Sequence, residues 1–503
     1  MRGRVTALSV IIVLLFGLVL GQAAFIQVHR AAGLDASPGN PRNNSQSTSQ
    51  YPRGNIYSSN GLLLAKSVHT ADSTYPWVRR YPLGRLTSDV VGYSSTIYGT
   101  GGIEYEYNNF LVSHAQPARS AIQVLDPVHS YDNVKLTLEV ALQQVAARAL
   151  NGTDGAVVAL NPKTGAVLAM YSNPTYNPAP LAALNASVQH AAWIKYNKNN
   201  VHGFPPLGSV ATQQTFPPGS TFKVVTTAAV YRYWPALAQK SYGPYSCLPL
   251  AQWHSTLCLQ NSGGGSCGGT IKVMLPASCD PGYANIGFDL GASTLFDQAR
   301  QFGYNSIPPL DLPGVVPSYF PPPNYFLNHQ PSTGYAAIGQ DNVRATALQD
   351  ALVAAGIANR GIVLAPHFLR SIIDPLGNVV ARTRNSVWRR PLTAAQAAQI
   401  VPLMQGVVQY GTAQLVGFLP QDDVAAKTGT AQTGVGNTNT DDWMIAFAPA
   451  SDPVVAVAVV VPYQSLNGYG ATVAGPIMKC VIEAQLAIVA GQPPAGTATT
   501  CPL

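Results

Sequence analysis

The sequence predicts an α+β protein: a main domain with an antiparallel sheet and a helical subdomain, preceded by a small mixed pedestal and an N-terminal transmembrane helix. Three observations predict it. Apolar, β-branched runs stand near both ends of the main domain, at residues 156–160, 166–170, 424–431, 443–447 and 454–461. Helices dominate between Ser220 and about Asn359, and strands at both ends with helices between them mean a sheet closed by both termini of the domain. An uncharged, mostly apolar stretch opens the chain.

That opening stretch runs from Val5 to Val28, is densest over residues 8–20, and follows Arg2 and Arg4. About twenty apolar residues span a bilayer, and the two arginines hold the amino end in the cytoplasm. The expectation is an uncleaved anchor. A cleaved secretory signal is the alternative, since Gly21 to Ala23 is small enough for a signal peptidase. Both place the remainder outside the cytoplasmic membrane, so the expected location is the cell membrane, single-pass, with the main domain extracytoplasmic.

The chain then divides into residues 1–30 (stub and anchor), 31–127 (linker and non-catalytic pedestal), 128–491 (main domain) and 492–503 (tail). Residues 33–51 are rich in Ser, Asn, Pro and Gly and read as linker. Two short strands are expected around Asn60-Gly61, and a glycine turn at residues 98–102. Leu136, Leu138, Val140, Leu142, Val145, Ala149 and Leu150 fall largely on helical spacing. Residues 156–160 and 166–170 flank Asn161-Pro162-Lys163-Thr164-Gly165 as a β-hairpin. Further helices are expected over 346–356, over 393–407, and from Pro476 to about Ala490.

Composition narrows the function. The chain is 47% hydrophobic and only 10% charged, which argues for long apolar elements and against disorder. The net charge of +7 is modest, and the basic residues are scattered along the sequence rather than striped with aromatics, so nucleic acid is not an expected partner. Attraction to anionic cell-envelope polymers, or a plain surface excess of basic groups, accounts for it. The six cysteines include no C-x-x-C pair and no histidine spacing suited to zinc, so neither metal nor cofactor is expected. An even count in an oxidising compartment suggests disulfides. Cys480 with Cys501, and two bridges among Cys247, Cys258, Cys267 and Cys279, is the expected pattern.

Three motifs carry the chemistry: Ser220-Thr221-Phe222-Lys223, Ser278-Cys279-Asp280 and Lys427-Thr428-Gly429-Thr430. Pro217, Pro218 and Gly219 stop any preceding helix, so Ser220 opens one, with its side chain beside unpaired N–H groups. Lys223 then lies one turn along, within reach of the hydroxyl. Serine is a poor nucleophile until a base takes its proton, and burial beside a helix N-terminus lowers the pKa of a lysine toward that task. Ser278 is expected on a loop facing the cleft, relaying a proton, with Asp280 bonding lysine or substrate. Lys427 and Thr428 offer a charge and a hydroxyl to a carboxylate from a strand flanked by apolar residues, and Gly429 lets substrate backbone come close. The N–H groups of Ser220 and Thr430 suit an oxyanion hole. Each motif alone also reads blandly, as a cap serine, a turn or a solvated lysine; the three in this order do not.

The three motifs resemble those of the penicillin-binding protein transpeptidases. Arg53-Gly54-Asn55-Ile56 with Asn60-Gly61, the stretch from Gly155 to Gly165, Gly339-Gln340 with Thr346-Ala347-Leu348-Gln349, and the stretch from Trp443 to Pro449 are similar to class B, monofunctional members. The short pedestal looks most like the actinobacterial penicillin-binding protein A type. The resemblance implies a β-lactamase-like transpeptidase domain that cross-links peptidoglycan. Ser220, Lys223, Ser278, Asp280 and Lys427 would be catalytic, and Ser220, Asp280, Lys427, Thr428, Gly429 and Thr430 would bind substrate and its oxyanion. The implied partners are D-Ala-D-Ala stem peptides, β-lactams and, because a pedestal of about 100 residues has no room for a glycosyltransferase, a SEDS-type glycan polymerase. One position departs from most members: Asp280 stands where they carry asparagine. Its charge is expected to pair with Lys223 or Lys427 and raise that lysine's pKa.

Other readings stay open at this point. Tyr283-Ala284-Asn285 could supply the second motif instead, as in class C β-lactamases. A D,D-carboxypeptidase or β-lactamase would use the same serine with water as acceptor, and a penicillin sensor or silent division scaffold would not turn over at all.

Overall fold

The computed structural model describes residues 2–25, 50–72, 75–115, 129–250, 258–261, 263–433 and 439–494. Most of the expected linker, at residues 33–49, lies outside them, as does Cys501 of the expected Cys480–Cys501 bridge. An apolar helix, α1 (Arg2–Phe25), opens the chain. Its 24 residues would rise about 36 Å, longer than the roughly 30 Å hydrocarbon core of a bilayer. Its side chains from Val10 to Phe25 are exposed, Val13 and Leu18 to 70% and 71%, so nothing among the described residues buries them.

Strands β1 (Ile56–Tyr57) and β2 (Leu63–His69) pair antiparallel around Asn60-Gly61, as expected, and β3 (Trp77–Arg80) continues the meander. Beneath them Arg53 and Arg79 both bind the buried carboxylate of Glu104, at 2.9 and 2.5 Å. The helix expected from Leu136 starts later. Residues Asn133–Leu136 form strand β4, parallel to β1, and helix α2 covers Val140–Leu150. Val134, Leu136 and Leu138 are fully buried while Lys135, Thr137 and Glu139 between them are not, an alternation of period two that overrides the helical spacing.

The main domain follows with β5 (Gly155–Leu160) and β6 (Val167–Asn173), the expected hairpin. Next come α3 (Lys223–Tyr233), α4 (Asp280–Gln301), kinked at Gly291, and α5 (Ala347–Ala358), buried at every residue. Two unexpected strands, β7 (Leu369–Ile373) and β8 (Val379–Arg382), precede α6 (Ala394–Gln409). Strands β9 (Ala425–Thr433), β10 (Asn439–Ala448) and β11 (Val455–Ser465) lead to α7 (Gly470–Val489). Helix α7 starts six residues before Pro476, which lies inside it: Tyr469 and Thr472 bond reciprocally at its start, and the helix tolerates one missing donor further on.

Two sheets organise these elements. The five-stranded sheet has order β6-β5-β11-β10-β9 and is antiparallel throughout, with β5 from the start of the domain beside β11 from its end. Alternate residues face opposite cores. Val157, Ala159, Met444, Ala446, Val457 and Val459 pack with α2 and α7, whereas Ala156, Val158, Ile445, Phe447, Ala458 and Val460 pack with α3, α4 and α5. With both faces covered, the strands read as continuous apolar runs. The six-stranded sheet, order β8-β7-β4-β1-β2-β3, joins strands from before residue 127 to strands from the middle of the main domain.

Residues 242–269 add two small hairpins beside α4: Tyr242–Tyr245 with Cys267–Gly269, and Cys247–Pro249 with Cys258–Gln260. Disulfides join Cys247 to Cys258 and Cys267 to Cys279, two bridges among the four cysteines expected to share them.

Candidate active site

The Pro217-Pro218-Gly219 stop works as the sequence suggests, with one refinement. Ser220 sits in a 3-10 turn, Gly219–Phe222, and the α-helix proper begins at Lys223. Gly219 is left-handed (φ 55°) and donates its N–H to Gly339 O at 2.9 Å. Gly339 is left-handed too, and a Cβ there would lie 2.2 Å from Gly219 O, so two glycines are needed for this crossing. Trp443 Nε1 donates to Pro217 O at 3.0 Å, and Phe222 packs against Tyr304 and Phe320. The turn that presents Ser220, which is half-buried, is thus clamped from three sides.

Strand β9 is the edge of its sheet and carries the third motif past this turn. The close approach that Gly429 permits is made by the chain itself. A Cβ there would meet Pro218 O at 2.8 Å and Thr221 Cγ2 at 3.0 Å. Thr428 and Thr412 share a hydrogen bond of 2.6 Å between their hydroxyls, and Thr430 Oγ1 accepts from Gly470 N at 3.0 Å.

The second motif follows a short helix, Ile271–Met274, and ends in the first turn of α4. Ser278 is left-handed (φ 56°), a costly conformation for a non-glycine residue. It aims the hydroxyl between two fully buried lysines: Lys223 Nζ reaches Ser278 Oγ at 3.2 Å and Lys427 Nζ reaches it at 2.9 Å. Lys223 Nζ also donates to Ser278 O and to Asp280 Oδ1, both at 2.6 Å. The expected direct bond from Lys223 to Ser220 is not formed among the described residues; the amine is turned toward Ser278 and Asp280 instead. Asp280 N donates to Asn261 Oδ1 at 2.8 Å, and Cys279 is tied to Cys267, so the insert of small hairpins holds the motif on its far side.

Electrostatics separates the two lysines. Burial lowers the pKa of Lys223, while the ion pair with Asp280 opposes that fall. Burial, together with repulsion from Lys223, pushes Lys427 well below the ordinary lysine range. Asp280 therefore favours the charged form of Lys223 against burial, and Lys427, on which the same carboxylate acts least, is the more easily neutral amine. The pairing expected of Asp280 is present, and it falls on Lys223.

Ser220, Asp280 and Thr430 line one open cleft of about 970 Å³, with Tyr335, Gln340 and Tyr469 on its walls. Sequence reasoning did not single out Asn261, Thr412 or the clamping role of Trp443. The first two have no local signature, because their partners lie 19 and 16 residues away on other elements. Among the described residues no group of three or more His, Cys, Asp or Glu side chains is placed to hold a metal ion.

A serine in a turn beside two buried lysines and a second serine, on an α-helix packed to an antiparallel sheet, defines a class of serine acyl-transferring proteins that need no histidine. The chain belongs to the penicillin-binding protein transpeptidases: residues 155–483 match the penicillin binding protein transpeptidase domain, and residues 53–128 match the penicillin binding protein A dimerisation domain. The peptidoglycan D,D-transpeptidase PbpA of Mycolicibacterium smegmatis is 35% identical over 504 residues, covering 97% of this chain and 99% of that one. PbpA of Mycobacterium tuberculosis is 35% identical over 511 residues, covering 97% and 99%. Among solved structures, penicillin-binding protein A from M. tuberculosis as a ceftriaxone acyl-enzyme complex aligns with a TM-score of 0.78 at 33% identity, covering 88% of this chain and 99% of that one. Its imipenem acyl-enzyme complex aligns with a TM-score of 0.77 at 34% identity, covering 88% and 100%.

Proposed function

We propose that this protein is a class B penicillin-binding protein that cross-links peptidoglycan by D,D-transpeptidation through an acyl-enzyme on Ser220, and that β-lactams acylate the same serine. The observation that carries the reading is the hydroxyl of Ser278, held jointly by two buried lysines beside the clamped Ser220 turn.

In the proposed reaction Ser220 Oγ attacks the carbonyl between the two D-alanines and gives its proton to the neutral form of the Lys223 amine, the form that burial favours. The N–H groups of Ser220 and Thr430 hold the developing oxyanion. Lys427, Thr428 and Thr430 hold the terminal carboxylate, and Gly429 lets the turn that carries Ser220 lie against their strand. Ser278, touching both amines, passes a proton to the departing nitrogen; the C–N bond breaks, D-alanine leaves and an ester remains on Ser220. An amine from a neighbouring stem peptide then attacks the ester, forms the cross-link and returns the serine. Asp280 tempers how readily Lys223 gives up its proton.

Helix α1 serves as an uncleaved, single-pass anchor, with the catalytic body outside the membrane; its length and its unburied apolar side chains support this. The domain division is residues 1–30, 31–127, 128–491 and 492–503. A SEDS-type polymerase supplies the glycan strand, since the pedestal is a small module of short strands and helices.

The test is mass spectrometry of the full chain after incubation with benzylpenicillin. One adduct per chain, mapped to Ser220 and lost in Ser220→Ala, is expected. Labelling elsewhere, or none, overturns the assignment. Rapid turnover of a chromogenic cephalosporin would favour a hydrolase instead.

A further inference from the structure

Three arginines, far apart in the sequence, are gathered by the fold at one place away from the cleft. A hollow of about 740 Å³ is lined by Arg232 at the end of α3, Arg360 just after α5, and Arg390 just before α6. It shares no residue with the cleft lined by Ser220. Helix α3, 11 residues long and so about 16 Å, separates Lys223 at its start from the hollow at its end.

The hollow is one-sided in charge. Only 10% of the chain is charged, yet three of the nine lining residues are arginines and none is acidic. Among the described residues no carboxylate lies within ion-pair distance of any of the three. Their donors are unevenly spent. Arg232 Nη1 donates to Arg390 O at 3.0 Å and Pro391 O at 2.6 Å, which fixes the loop that carries Arg390. The guanidinium groups of Arg360 and Arg390 donate to no protein acceptor among the described residues, and both residues are exposed. The neighbouring amides are already engaged: Gln396 Nε2 donates to Tyr231 O and Asn359 Nδ2 to Ile362 O. Arg360 takes a left-handed backbone (φ 55°), a conformation glycine or asparagine adopts at far less cost.

We propose that this hollow binds a phosphate-bearing anion, a diphosphate or phosphodiester, as a site separate from the catalytic cleft. Guanidinium forks match carboxylate and phosphate oxygens. A carboxylate offers two oxygens in one plane and is satisfied by a single fork. A tetrahedral phosphate presents oxygens on several sides, which suits cations arriving from three separate segments. The anion can come from a soluble diphosphate or from the headgroup of an anionic lipid. The assignment does not depend on the transpeptidase reading.

The experiment uses the full chain in a neutral detergent at fixed ionic strength. Inorganic diphosphate, or dihexanoyl phosphatidylglycerol against dihexanoyl phosphatidylcholine, is titrated while the melting temperature and the binding isotherm are followed. Saturable binding with a rise in melting temperature is expected, weakened at least tenfold in the double variant Arg360→Gln, Arg390→Gln. Penicillin labelling of Ser220 in that variant should proceed at the native rate. Binding of the lipid but not of diphosphate assigns the anion to a headgroup, and the converse assigns it to a soluble diphosphate. No saturable binding of either, equal binding to the double variant, or preference for citrate over diphosphate overturns the proposal. Loss of penicillin labelling with phosphate binding intact would instead count against the transpeptidase reading alone.

Discussion

Lys223 and Asp280 form an ion pair of 2.6 Å in which the lysine is wholly buried and the carboxylate sits in the first turn of a 22-residue helix. The pair opposes the fall in pKa that burial imposes on the amine nearest in sequence to Ser220. In Asp280→Asn that support is gone, and the Lys223 pKa falls further. The ascending limb of the pH profile for penicillin acylation should then move to lower pH. An unchanged profile would discard the idea that Asp280 controls this charge.

Ser278→Ala removes the one acceptor that both lysines share. Acylation should fall by about 10²–10⁴-fold, the range for losing a proton-transfer group, as read from the second-order rate of labelling by a fluorescent penicillin. Loss of the buried hydrogen bonds should also cost about 1–3 kcal/mol of stability. A rate within threefold of native would mean that the relay runs elsewhere.

Gly339→Ala tests the crossing beneath Ser220. The new Cβ would stand 2.2 Å from Gly219 O at a left-handed backbone position. The backbone conformation alone costs a non-glycine residue about 1–3 kcal/mol, and the clash adds to it. Urea unfolding should show that loss, and acylation should slow beyond what the lost stability explains, because the displaced turn carries the nucleophile. Native stability would show that the crossing yields without strain.

Asp350 is fully buried on α5 and accepts from Thr221 Oγ1, one residue from the nucleophile, at 2.7 Å. Burial raises its pKa to about 7 despite that bond and a weaker one from Tyr304. The folded carboxyl thus holds its proton where the unfolded one, near 4, has released it. Stability contributed by this group is present at low pH and lost as pH rises from about 4 to about 7. Asp350→Asn should flatten that part of the stability curve and raise stability at pH 7.5 by up to about 4 kcal/mol, using 1.36 kcal/mol per pH unit. Thermal unfolding between pH 5 and 8 reads it. A native-like slope in the variant would locate the dependence in another group.

The legible part of the fold was the part written in strong periodic signals. The apolar runs of β5, β10 and β11 announced a sheet closed by both ends of the domain, and the three motifs announced the cleft. The weak signals failed for definable reasons. All four residues of β8 are exposed, so no burial pattern marks them as a strand; partners far along the chain do. Leu136 and Leu138 satisfied two periods at once, and the pairing of β4 with β1 decided between them. Ser220 and Lys223 were placed rightly on one turn, but sequence spacing cannot say which way an amine points when a carboxylate from another helix competes for it.

The sheet of order β8-β7-β4-β1-β2-β3 leaves no swivel between the pedestal and the catalytic body, because backbone hydrogen bonds knit them into one slab. The mouth of the cleft therefore keeps a constant distance from the pedestal strands β1 to β3. Excising the first 127 residues would also strip β4 of its neighbour and bare a row of unpaired amides, an edge prone to self-association.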